Sequence, residues 1–175
     1  MASRKQSKPD SIDIQISTFA AVLIIGFLSA VAFWFGTILL STPTVVKLGG
    51  EIPMKFQVLQ YVLAVLVMLV LLTPVYVLGK ALKTGQPLIR FDDQGVQAIK
   101  WPIMRNQIKW TEVDGLKGKG IWIILIDKNK RQHRTIEGMM GTKGLWLPSV
   151  LAKGGSVAIG EAINTYRPEV ISPVF

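Results

Sequence analysis

The chain has 175 residues, half of them hydrophobic and 18% charged, with 20 Lys or Arg against 11 Asp or Glu and no cysteine. That length leaves room for one compact domain plus an anchor and excludes two large domains. The lack of cysteine excludes disulfides, thiol nucleophiles and thiolate metal sites, while a net charge of +9 suits an anionic surface, either nucleic acid or membrane lipid.

Residues 1–16 read as a polar tail carrying Arg4, Lys5 and Lys8. Residues 17–41 are uncharged, and the run FAAVLIIGFLSAVAFWFGTILL at 19–40 holds no Asn, Gln, His or Pro. A hydrocarbon core about 30 Å thick takes roughly 20 helical residues, so this segment is expected to cross a bilayer. It is too long for the apolar region of a cleaved signal, which runs to about 15 residues. Within it Gly26 and Ala30, then Ala32 and Gly36, are small residues four apart, a spacing that lets another helix come close.

Residues 42–55 carry Pro43, Gly49, Gly50 and Pro53 and are expected to form an outer loop. Residues 56–82, with YVLAVLVMLVLLTPVYVLG at their centre, are expected to cross back. Pro74 lacks an N–H and predicts a kink, with the neighbouring helix or the Thr73 hydroxyl serving the freed carbonyl. Arg4, Lys5 and Lys8 precede the first span and Lys80, Lys83 and Arg90 come after the second, whereas only Lys47 and Lys55 lie between. The positive-inside rule then puts both termini of this multi-pass chain in the cytoplasm.

From Lys80 onward there are 15 Lys or Arg against 8 Asp or Glu, so the basic surplus belongs mostly to the region C-terminal to the spans. After the short linker KTGQP, brief apolar runs alternate with Gly, Pro, Asp and Lys turns, the pattern of an all-β domain. Strands are expected at 88–92 and 95–101 around a tight turn, then at 107–110 and 113–117. IWIILI within 121–127 is apolar on both faces and should be a central strand. A charged turn at 128–131 leads to strands at 132–137 and 145–147. Residues 156–166 place Ala158, Ile159, Ala162, Ile163 and Tyr166 on one stripe of a helix that Pro168 stops. Residues 168–175 form a tail.

About seven short strands followed by one amphipathic helix, over 88–167, resemble the pleckstrin-homology fold, a bent barrel with a C-terminal helix covering its open end. Two spans, then LIRFDDQGV, QIKWTEVDGL, IWIILID and a final helix resemble in particular the bacterial PH-like membrane proteins. The step apolar, x, Trp, x, acidic, apolar that recurs in that group is matched by Ile108, Trp110, Glu112 and Val113. The resemblance implies an α-helical membrane hairpin plus an all-β PH-like barrel capped by a helix. It implies fold rather than function, because such barrels serve lipid, peptide and structural roles.

Candidate chemistry is sparse. His133 sits in a basic stretch, Asp92 and Asp93 are strand neighbours that point to opposite faces, and KGKG at 117–120 opens no phosphate-binding helix. No His, Asp and Glu grouping has metal-ligand spacing, and no recognition helix argues for nucleic acid. The expectation is therefore a chain without catalytic, cofactor or metal residues. The basic turns remain. In a simple meander whose segment 107–117 acts as one bent strand, alternate turns fall at alternate ends, which puts Lys83, Arg105, Lys128, Lys130 and Arg131 near anionic headgroups. The expected function is a non-enzymatic, membrane-anchored PH-like interaction or scaffolding module. The alternatives are an anionic-lipid-sensing module and an accessory subunit of a larger membrane complex. Its expected partners are membrane lipids and a membrane or cytoplasmic protein, with homo- or hetero-oligomers allowed.

Overall fold

A computed structural model describes residues 9–41, 54–101, 104–128 and 144–170. The chain divides into two compact units: Ala21–Lys80, and a second unit built from Met1–Ala20 with Ala81–Phe175.

The first unit holds the bulk of α1 (Thr18–Ser41) and α2 (Met54–Thr84). Both are long and apolar enough to cross a membrane. Their large side chains stay exposed, among them Phe27, Phe33, Leu63, Leu66 and Val70. Each such side chain left in water forfeits about 1.5–3 kcal/mol, so these surfaces are costly to leave in water. The helix assignment continues through Pro74. The Thr73 hydroxyl donates to the Leu69 carbonyl at 2.7 Å, four residues before itself, and not to the Val70 carbonyl that Pro74 leaves without its usual donor.

The second unit begins in the segment read as a tail. Ser11–Ile14 forms β1, which pairs antiparallel with β2 (Ile89–Asp92) from Ser11↔Asp92 to Ile14↔Ile89. β3 (Gly95–Ala98) and β4 (Gln107–Lys109) complete a four-stranded sheet in the order β1-β2-β3-β4. A 3-10 turn at Trp110–Glu112 passes the chain to β5 (Val113–Lys119), which belongs to a separate antiparallel sheet with β6 (Trp122–Asp127) and β7 (Gly144–Pro148). β6 is central there, as its two-faced apolar run requires. The two sheets are not closed among the described residues, so the barrel expected from the sequence gives way to two sheets joined by a turn. The strand expected at 132–137 lies outside the described residues.

Alternation drives the core. In β2, Ile89 and Phe91 are buried while Arg90 faces out. Val96, Ile108, Ile124, Leu125, Leu145 and Leu147 from the two sheets are buried as well, and α3 (Gly155–Tyr166) adds Ile159, Ala162, Ile163 and Tyr166 to the buried set. Phe91, Trp110 and Tyr166 stack in sequence, with centroids 6.4 and 6.2 Å apart.

Candidate functional site

The second unit has two distinguishable ends. At one, the chain runs into α1 and returns from α2. Here Ser17 N–H donates to the Leu151 carbonyl (2.7 Å), Lys153 N–H to Gln15 (2.9 Å) and Leu88 N–H to Ile14 (2.9 Å), and Ile16 forms an isolated bridge with Ala152. We call this the helix-side end. A groove of about 380 Å³ opens there, lined by residues that include Gln15, Ser17, Leu82, Gln86 and Lys153. At the far end, the β2–β3 turn is tied by the Asp92 carboxylate, which accepts from the N–H groups of Gln94 and Gly95 at 2.9 Å. Trp110 N–H donates to the Gln94 carbonyl, and the Trp110 indole N–H to the Asp92 carbonyl at 2.7 Å.

The far end also holds the strongest charge cluster. Arg105 reaches the Asp127 carboxylate through Nη1 and the Glu112 carboxylate through Nη2, both at 2.6 Å, and its Nε donates to the Gln107 carbonyl at 2.6 Å. Asp127 is 2% exposed. Desolvating such a carboxylate demands a fixed cation, which Arg105 supplies. The Ile108–Trp110–Glu112–Val113 step thereby acquires a physical meaning in this chain: three members are core and the acid holds Arg105.

Three titratable groups are perturbed: Asp13, its partner Arg90, which the Asp13 carboxylate pushes up, and Tyr166. Hydrogen bonds from Arg90 to Asp13, at 2.7 and 2.8 Å across β1 and β2, hold the Asp13 carboxyl below its ordinary value of 3.8 despite opposing desolvation. Burial, reinforced by the charges of Asp93, Asp92, Asp10 and Asp13, pushes the Tyr166 hydroxyl above its ordinary 10.0. That hydroxyl donates to the Pro9 carbonyl at 2.9 Å, so the acids gather around the far end of α3.

No family model, curated protein or solved structure matches this chain. Its own geometry therefore carries the reading, and it distributes the residues expected at headgroups unevenly. Lys83 lies in the last turn of α2, beside the helix-side end. Arg105 is engaged by Glu112 and Asp127. Lys128, whose N–H donates to the Glu112 carbonyl at 2.7 Å, is at the far end; Lys130 and Arg131 lie outside the described residues. The simple alternation of turns fails at Trp110–Glu112, where the chain reverses: β4 runs toward the far end and β5 runs back. The β5–β6 turn at Gly120 and Ile121 therefore lies at the helix-side end, through the Ile121 carbonyl's bonds to Ser149, and Lys128 at the other.

The small-residue positions of α1 also separate. Ala32 is buried and a Cβ on Gly36 would lie 3.7 Å from the Met68 methyl of α2, whereas Gly26 and Ala30 are exposed. His133 lies outside the described residues. Among the described residues no group of three His, Cys, Asp or Glu could hold a metal ion.

Proposed function

We propose that the protein is a non-enzymatic, membrane-anchored interaction module: α1 and α2 cross the inner membrane of a bacterium as a hairpin and display a PH-like domain at its cytoplasmic face. The observation that supports this reading is the pairing of β1 with β2. These strands stand on opposite sides of both helices in the sequence, yet they join in one ladder, as they would if two crossings returned the chain to the side it started from. The excess of Lys and Arg flanking the outer ends of the helices favours the cytoplasmic side.

The test uses reporters fused before Met1 and after Phe175, together with alkaline carbonate washing of vesicles. Both reporters are expected to be cytoplasmic and the chain to stay with the membrane. A reporter outside the cell, or a chain stripped by the wash, overturns the reading. Photocrosslinking in native membranes is expected to capture a discrete protein neighbour of the domain. A second reading, contact with anionic lipid, is favoured by exposed lysines at the helix-side end.

A further inference from the structure

Among the described residues outside α1 and α2, three large apolar side chains are exposed: Ile121 (54%), Val150 (44%) and Val157 (67%). Single exposed apolar residues are ordinary on a protein surface. These three share one end. The Ile121 carbonyl accepts from both the N–H and the hydroxyl of Ser149, at 3.0 and 2.8 Å. Val150 comes directly after Ser149 in the 3-10 turn Ser149–Leu151, and Leu151 accepts from Ser17, the residue before α1 begins. Val157 lies in the first turn of α3, which starts just beyond Lys153, itself bonded to Gln15. All three therefore belong to the helix-side end, where the chain passes into the apolar helices.

Exposed lysines are found at this end as well, although Lys109, Lys128 and Arg167 lie at the other. Lys117 and Lys119 lie on the β5–β6 hairpin, whose last pair is Lys119↔Trp122. With Lys83 and Lys153 they are exposed at the helix-side end. Asp10, Asp92 and Asp93 gather near Tyr166 at the opposite end, and Glu112 and Asp127 are held there by Arg105. Asp13 is paired with Arg90. Exposed apolar side chains and lysines at the end of a domain tethered to two long apolar helices have the chemistry of an interfacial surface: apolar groups enter the headgroup region while ammonium groups meet phosphate oxygens.

We propose that this end is a foot that rests on the anionic leaflet, with Ile121, Val150 and Val157 inserted at headgroup depth and Lys117, Lys119 and Lys153 on lipid phosphates. This rests on the membrane-anchored reading above and deepens it by naming the surface that faces lipid.

The chain has no cysteine, so single substitutions can be labelled uniquely. The full chain is reconstituted in lipid nanodiscs, either zwitterionic or containing phosphatidylglycerol, with an environment-sensitive fluorophore on Ile121→Cys, Val150→Cys, Val157→Cys or Lys128→Cys. A blue shift is expected at the first three sites, larger in anionic discs and reduced by salt, with none at Lys128→Cys. Adding Lys119→Glu and Lys153→Glu to Ile121→Cys is expected to abolish the anionic-lipid increment. No shift at the first three sites, an equal shift at Lys128→Cys, or a shift confined to native membranes containing other proteins overturns the proposal; the last outcome would assign the surface to a protein partner. Carbonate washing of the unlabelled chain tests anchoring separately, so a retained chain without a shift sinks the foot alone.

Discussion

At the residue scale, Arg105 is the side chain on which the far end most depends. Removing it leaves a fully buried Asp127 and a partly buried Glu112 facing each other without a cation, a loss of about 3 kcal/mol for a buried pair of this kind. Arg105→Met is thus expected to lower the thermal midpoint of the detergent-solubilised chain by several degrees. Arg105→Lys is expected to recover only part of that, because an ammonium cannot reproduce three fixed donors. An unchanged midpoint in Arg105→Met would show that the cluster contributes nothing. The sequence exposed Arg105 as one more turn base, since nothing in its neighbours reveals a carboxylate 22 positions away. What was legible was the apolar half of the same cluster, in Ile108, Trp110 and Val113.

Asp13 and Tyr166 make stability pH-dependent at opposite ends of the scale. Asp13 has a depressed pKa in the folded chain, so its ionised form binds Arg90 above the unfolded value of 3.8. That contribution fades as pH falls through the folded value. Tyr166 has a raised pKa, so its neutral hydroxyl stabilises the fold below the unfolded value of 10.0, and that contribution is lost as pH rises through the folded one. Tyr166→Phe is expected to cost about 1 kcal/mol at neutral pH through the lost bond to Pro9. It should also blunt the alkaline decline in stability, as monitored by denaturant midpoint against pH. An alkaline limb identical to that of the parent chain would rule out Tyr166 as its source.

At the element scale, close approach decides which substitutions the sheets tolerate. A Cβ on Gly144 would lie 2.0 Å from the Leu125 carbonyl oxygen, so Gly144→Ala must push β7 away from β6. Overpacking of this kind typically costs about 1–3 kcal/mol, and Gly118→Ala, with open space around it, serves as the control. Equal thermal midpoints for the two variants would contradict the β6–β7 register. The strands and α3 were readable because period-two and helical patterns mark which side chains turn inward. β1 was not: four residues reading SIDI after a polar stretch offer too short an alternation to separate a strand from a tail. The reversal at Trp110–Glu112 was half legible: the apolar parity shifts between Trp110 and Val113, but only the pairing partners show that the two strands belong to different sheets.

At the scale of the whole molecule, β1 makes the second unit discontinuous in sequence. A fragment of residues 88–175 lacks β1, Ile14 and Ile16, and so exposes the edge of β2 and part of the core. It is expected to aggregate or to unfold without cooperativity. A fragment in which residues 9–17 are joined to residue 86 by a flexible linker is expected to unfold in a single sharp transition by circular dichroism. Comparable transitions for both would mean that β1 is dispensable. The two apolar helices were legible because twenty uncharged residues have few other uses, whereas the strand closing the domain across them could not be read from either side alone.

The same discontinuity sets an order of events during synthesis. If α1 and α2 cross the membrane as proposed, β1 leaves the ribosome before either crossing and its partner only after the second, so a completed ladder would report that both crossings were made. A nascent chain that inserts a single helix would leave the two strands in different compartments, with an unsatisfied edge and an uncovered core open to proteolysis.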